Sequence, residues 1–176
     1  KILTVIEKKV GKIDPILFYG NESGLILELI KSIFNILKKK INIDEIQYLD
    51  HKNLKFEEFE QILINTSLFS KASLVVIKSP QERLIKELEN IKKIENFLIV
   101  NGEGLKAKSK LKLYFDNHKN FTSIPCYKLS RADIKKIIDD FIKINGISFQ
   151  NEAYEFLIDN IGEDYLIIKN ELKKLS

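Results

Sequence analysis

The chain is predicted to fold as an α/β protein: a five-stranded parallel sheet with helices on both faces, followed by a small three-helix domain. Three observations predict this. Short apolar runs such as Ile16-Leu17-Phe18-Tyr19 and Phe97-Leu98-Ile99-Val100 have the composition of strands buried on both faces. Strand and helix patterns alternate five times over roughly the first 125 residues, the spacing of a parallel sheet with crossover helices. Beyond Leu129 the strand pattern stops and only amphipathic helical stretches follow.

Each element has its own signal. Ile2, Val5, Ile6 and Val10 fall at helical spacing in the first ten residues. Ile16–Tyr19, bounded by Pro15 and Gly20, is the first strand. A helix is predicted over 24–40 on the stripe Leu25, Leu29, Ile33, Ile36 and Leu37, and Lys38-Lys39-Lys40 suits its negative C-terminal end. Glu45–Leu49 is the second strand, and Phe56, Phe59, Ile62 and Leu63 mark a helix ending near Asn65-Thr66. The third strand, Ser73–Ile77, is closed by Ser79-Pro80. A helix over 81–93, the strand 97–100, a helix over 108–118 and the strand 121–126 complete the first domain. Ser130 with Asp133 three residues on reads as an acidic version of the capping box, opening a helix that Gly146 terminates after Asn145. Helices over 152–161 and 163–175 follow, so the predicted domains are 1–128 and 129–176.

Composition narrows the function classes. A hydrophobic share of 44% with 31% charged residues is that of a globular chain, and no apolar run reaches the roughly 20 residues of a membrane span. No basic-then-apolar export signal opens the sequence. One cysteine, Cys126, allows no internal disulfide, which fits a reducing cytosol, and its setting at a strand end reads as a packed thiol. His51 and His118 have no companion at metal spacing, so neither a metal nor a cofactor is expected. A net charge of +4 permits contact with a nucleic acid backbone without supplying a concentrated basic face. Lys1 in place of an initiating methionine, and a helical pattern still uncapped at Ser176, are expected of a piece of a longer chain.

The first strand and its helix frame the place where a P-loop would bind phosphate. In the pattern G-x-x-x-x-G-K-[ST], backbone N–H groups cradle the phosphates, the lysine reaches the terminal ones and the hydroxyl holds Mg²⁺. Here Gly20 opens the loop, but Leu25 stands at the second glycine, Ile26 at the lysine and Leu27 at the hydroxyl residue. Gly24 offers a tight turn but no counter-charge. The third strand runs into Lys78-Ser79-Pro80, without the acid that would complete such a site. After the fourth strand, Asn101 stands where a nucleotide-sensing polar residue often does, but a loop asparagine satisfying turn N–H groups is the commoner meaning. The scaffold of a nucleotide-binding fold is therefore expected without its chemistry.

Several stretches together resemble the delta subunit of bacterial DNA polymerase III, part of the sliding-clamp loader. They are Ile16–Glu22, Ser67-Leu68-Phe69-Ser70, Leu74–Ile77, Leu98–Asn101, Lys108–Leu111, Ile124–Tyr127 and Asn170–Leu175, in family order across the chain. The resemblance implies two AAA+-type domains, a RecA-like sheet domain and a three-helix lid, with a collar domain following in the family. It also implies a subunit that binds no ATP and has no catalytic site of its own within a DNA polymerase holoenzyme. Such a subunit binds the ring-shaped beta clamp and opens it. The implied partners are that clamp, the gamma/tau and delta-prime subunits, and primed DNA through the assembled complex. Family members present a Leu-Phe pair to a hydrophobic pocket on the clamp, and here the pair is Leu68 and Phe69. On residue type alone that pair reads first as cover over the sheet, since large apolar residues are mostly buried. The resemblance reverses the reading, with Ile62 and Asn65 as candidates to line the same surface.

Other features are read structurally. Lys106, Lys108, Lys110 and Lys112 enter a helix whose geometry would split them into two solvated faces, 106/110 and 108/112. Ser130-Arg131 resembles the Ser-Arg-Cys motif of related loader subunits, but it follows the last strand and Ala132 replaces the cysteine, so it reads as a helix cap. Asp139, Asp140, Glu155 and Asp159 are scattered on helix surfaces and form no paired-carboxylate site. Two other functions stay open at this stage: an active AAA+ ATPase with an unusual loop, and a free-standing nucleic-acid-binding domain.

Overall fold

The structure, a computed structural model, describes residues 14–64 and 73–175. The chain divides into two compact units, 1–126 and 127–176.

The first unit is built on five parallel strands: β1 (Ile16–Gly20), β2 (Ile46–Asp50), β3 (Leu74–Lys78), β4 (Phe97–Glu103) and β5 (Thr122–Pro125). Their spatial order is β2-β3-β4-β1-β5, so β1 lies between β4 and β5, with Ile16 beside Ile99 and Thr122. The apolar runs read from the sequence are the central strands, and every residue of β1 is buried. The edge strands differ, as edges must. β2 is half-exposed, and β5 tolerates Pro125 because it pairs only with β1.

Alternation along the strands sends side chains to two cores. Ile16, Phe18, Leu74, Val76, Ile99 and Ile124 pack against Ile26, Leu29, Ile30, Ile33 and Leu37 of the long helix α1 (Ser23–Ile41). On the other face, Leu17, Tyr19, Val75, Ile77, Leu98 and Val100 meet three shorter helices, α2 (Phe56–Ile64), α3 (Leu84–Asn90) and α4 (Lys110–Asn117). Those helices contribute Phe59, Leu63, Leu84, Leu88, Leu111 and Phe115. Each fully buried side chain of this size contributes about 2 kcal/mol. Helices on both faces of a five-stranded parallel sheet are the predicted arrangement.

Two helices differ from their predicted spans for local reasons. The helix expected over 81–93 covers only Leu84–Asn90, because the Leu84 N–H closes a three-residue turn on the Gln81 carbonyl and the backbone becomes extended at Ile91. The helix expected over 108–118 starts at Lys110, where the Ser109 side chain accepts from the Lys112 N–H. Lys106 and Lys108 therefore precede the helix, and the expected division of the four lysines into two helical faces does not occur. Lys110 pairs with Glu82 at 2.9 Å and Lys112 with Asp116. The helical stripe of Ile2, Val5, Ile6 and Val10 lies outside the described residues.

The second unit packs α5 (Arg131–Asn145), α6 (Asn151–Asn160) and α7 (Tyr165–Lys173) around Ile134, Ile138, Ile158, Ile161, Ile168 and Leu172. Ser130 and Asp133 form both bonds of the capping box, and Gly146 ends α5 in the left-handed conformation at φ 65°. Three of the acids that look scattered in the sequence have partners, and two of these share one. Arg131 pairs with Glu155 at 3.0 Å and with Asp159, and the Tyr154 hydroxyl donates to Asp139. Desolvation, and then that bond to Asp139, pushes the Tyr154 hydroxyl up to about 12.

Candidate functional site

Two places on the sheet unit are the candidates for function: the turn after β1 and the connection between α2 and β3. The first is the position of a phosphate loop. Only Asn21 and Glu22 separate β1 from α1, so no wide loop forms and Gly24 lies within the helix rather than in a turn. Gly20 adopts φ 128°, and a Cβ there would stand 2.1 Å from the Cys126 carbonyl oxygen, so only glycine lets the turn press against the end of β5.

Backbone groups of this turn are occupied internally. The Glu22 N–H donates to the Cys126 carbonyl at 3.0 Å, the Cys126 N–H to the Tyr19 carbonyl at 2.7 Å, and the Gly104 N–H to the Gly20 carbonyl at 2.6 Å. Ile26, at the lysine position of a P-loop, is fully buried in the α1 core, while Leu27 is 40% exposed and carries no hydroxyl. Glu22 is buried beside Cys126, and its Oε1 lacks a hydrogen-bond partner. Burial, and secondarily the Glu22 charge, push the Cys126 thiol up to about 12, so it is a packed thiol and no nucleophile.

At the ends of β3 and β4 an open cleft of about 470 Å³ is lined by Lys78, Ser79, Asn101, Glu103 and Gly104. Asn101 Oδ1 accepts the Glu103 N–H at 3.1 Å, the strand-end role that the sequence favours. Lys78 lies over the Tyr48 ring at 4.4 Å.

A buried polar network nearby escapes the sequence reading. His51, at the end of β2, is 1% exposed; its Nδ1 accepts the Gln81 N–H at 2.9 Å, and its Nε2 lies 2.6 Å from Glu87 Oε2. An Nδ1 that accepts leaves the ring proton on Nε2, which therefore donates to Glu87. Arg83 completes the set: Nη1 donates to Glu87 Oε1 at 2.7 Å, and Nη2 to the carbonyls of His51 and Leu54. Only the Arg83–Glu87 pair, four residues apart on one helical face, was legible as a signal. The network ties the start of α2 to α3 and holds no nucleophile.

The α2–β3 connection carries the candidate docking residues. Leu68, Phe69 and Asn65 lie outside the described residues. Ile62 is described: it packs half-buried against the α2 side core, and Ile64 beside it is 40% exposed. Asn96 bonds both flanks of the connection, donating from Nδ2 to the Ile62 carbonyl at 2.6 Å and accepting at Oδ1 from the Ser73 N–H at 2.8 Å.

Comparison with known proteins fits this geometry. No protein-family model matches the chain. It is 29% identical over 166 aligned residues to a probable DNA polymerase III subunit delta of Aquifex aeolicus, covering 84% of this chain and 46% of that protein. The chain thus spans about half the length of the curated relative it matches. Among solved structures it superposes on the Bacillus subtilis clamp loader delta protein with a TM-score of 0.65 at 14% identity, covering 98% of this chain and 56% of that one. The Thermotoga maritima RuvB branch migration motor gives a TM-score of 0.57 at 16% identity, over 98% of this chain and 57% of that one. AMPPCP-bound DnaA of Aquifex aeolicus gives 0.54 at 17% identity, over 99% and 59%. The fold is the one these solved structures share, and the chain is similar to a DNA polymerase III delta subunit.

Proposed function

We propose that this chain is the AAA+-like part of a clamp-loader delta subunit, which binds the sliding clamp and opens it for loading onto primed DNA. The observation that carries the reading is the likeness to a DNA polymerase III delta subunit over 84% of the chain. The β1–α1 turn supports the further step that the chain holds no nucleotide and catalyses nothing itself. Its Glu22 and Cys126 amides meet backbone carbonyls, Ile26 is buried where a phosphate-binding lysine would stand, and a buried carboxylate rather than a cation sits beside the turn. ATP would then be bound by neighbouring gamma/tau subunits, with delta-prime as a further partner, in the cytoplasm. Among the described residues no helix is long and apolar enough to cross a membrane.

Leu68 and Phe69 are the proposed contact. A Phe seated in a desolvated pocket typically contributes about 2–4 kcal/mol. Calorimetric titration of the chain with the clamp of the same organism is expected to show binding. Leu68→Ala combined with Phe69→Ala is expected to weaken it at least about tenfold, about 1.4 kcal/mol. Equal affinity of both proteins would remove the contact. Micromolar binding of a fluorescent ATP analogue with Mg²⁺ would instead favour an ATPase, in keeping with the AMPPCP bound to its structural neighbour DnaA.

A further inference from the structure

We infer that Asn96 is a positioning residue for the proposed clamp contact, acting through the two stems between which residues 65–72 run. The inference rests on the clamp-binding reading and adds what holds that contact in place.

The last turn of a helix leaves carbonyls without partners inside the helix. At the end of α2 they are taken by the residues just before β4. The Ile62 carbonyl accepts from Asn96 Nδ2, and the Leu63 carbonyl accepts the N–H groups of Glu95 and Asn96 at 2.9 and 3.3 Å. On the far stem, the Ser73 N–H donates to Asn96 Oδ1 at 2.8 Å, and the Ser73 carbonyl accepts the Phe97 N–H at 2.9 Å. One planar amide, 6% exposed, therefore bonds the chain before residue 65 with its donor and the chain after residue 72 with its acceptor.

Residue type matters here. Aspartate keeps the acceptor and loses the donor, leucine fills the volume and loses both, and glutamine is a methylene too long for the same two bonds. Stems pinned to one another through a buried amide hold the two ends of a docking segment at a fixed separation, and so raise the fraction of molecules ready to bind. Asn96 bonds Ile62 and Ser73, so its effect on a partner would pass through the stems.

The test compares clamp affinity for the unmodified chain, Asn96→Leu, Asn96→Asp, Leu68→Ala with Phe69→Ala, and Leu37→Ala. Leu37 is fully buried on the opposite face of the sheet and controls for loss of stability alone. Measured below the melting transition of each variant, Asn96→Leu is expected to weaken binding about fivefold or more, and Asn96→Asp by a smaller factor, through a lower competent fraction. Leu37→Ala is expected to stay within about twofold, because a folded protein with an untouched stem keeps its competent fraction. If Asn96→Leu does not fold, Asn96→Asp against Leu37→Ala carries the same comparison. Equal effects of the Asn96 and Leu37 variants, with the Leu68/Phe69 variant still impaired, would overturn the role of Asn96 and leave the clamp contact standing. No binding by the unmodified chain, or none lost with Leu68 and Phe69, would overturn the clamp reading itself and the positioning role with it.

Discussion

Among the described residues two glutamates are buried in the sheet unit, and they are treated very differently. Glu87, 7% exposed, has both oxygens engaged, one by Arg83 and one by His51. Glu22, 3% exposed, has an oxygen with no partner and lies beside a thiol. A buried carboxylate with its full set of donors is a structural tie. One left short of a donor costs the fold free energy and marks a position that stability alone does not explain. Glu87 joins α3 to β2. Glu22 places negative charge at the start of α1, where a nucleotide-binding relative would receive phosphate, and so opposes the anion that the helix end would otherwise favour.

This contrast can be broken in three ways, which differ in size. Gly20→Ala is expected to have the largest effect, about 3–4 kcal/mol by chemical denaturation, because it combines a left-handed backbone with a clash against a carbonyl. A loss under about 1 kcal/mol would mean that the turn is not pressed against β5, and that Glu22 is not held buried by it. His51→Leu is expected to cost about 2–3 kcal/mol, since it preserves volume but leaves a Glu87 oxygen and the Gln81 N–H unpaired. A neutral result would show that Arg83 alone satisfies Glu87.

Glu22→Gln is the smallest change. It removes a buried charge that lacks a donor and is expected to be neutral or stabilising by about 1 kcal/mol. It also sharpens an alkaline signature. Burial and Glu22 raise the Cys126 thiol from 9.0 to about 12, so the folded state keeps its proton where the unfolded chain loses it. The resulting stability is fully present below pH 9 and is lost as the pH rises towards 12. Removing the Glu22 charge should narrow that window from its upper end, which denaturation midpoints collected across the range would reveal. An unchanged window would leave burial as the sole cause.

What was legible in the sequence is what repeats locally. The central strands announce themselves as apolar runs because both of their faces are covered, and Ser130, Asp133 and Gly146 mark helix ends because capping is decided within a few residues. The break in the P-loop pattern was also readable, since that pattern has fixed spacing and Ile26 stands at its lysine position. The polar ties were not. His51 and Glu87 are 36 residues apart, and Asn96 reaches 34 residues back to Ile62, so no window contains both members of either pair. The burial of Glu22 had no sequence signal, because a glutamate ahead of a helix ordinarily lies in solvent.

The placement of β1 between β4 and β5 constrains how the molecule can assemble during synthesis. β1 leaves the ribosome first, yet both strands that flank it are made much later. The neighbours nearest in sequence are β3 and β4, whose pairing of Val76 with Ile99 closes the shortest loop among the strand pairs formed across a helix on the α2 side. The nascent chain therefore carries a strand that ends wholly buried without a place in a sheet until β4 emerges to receive it. Until then, the strand at the centre of the finished sheet is exposed apolar chain, of the kind that aggregates.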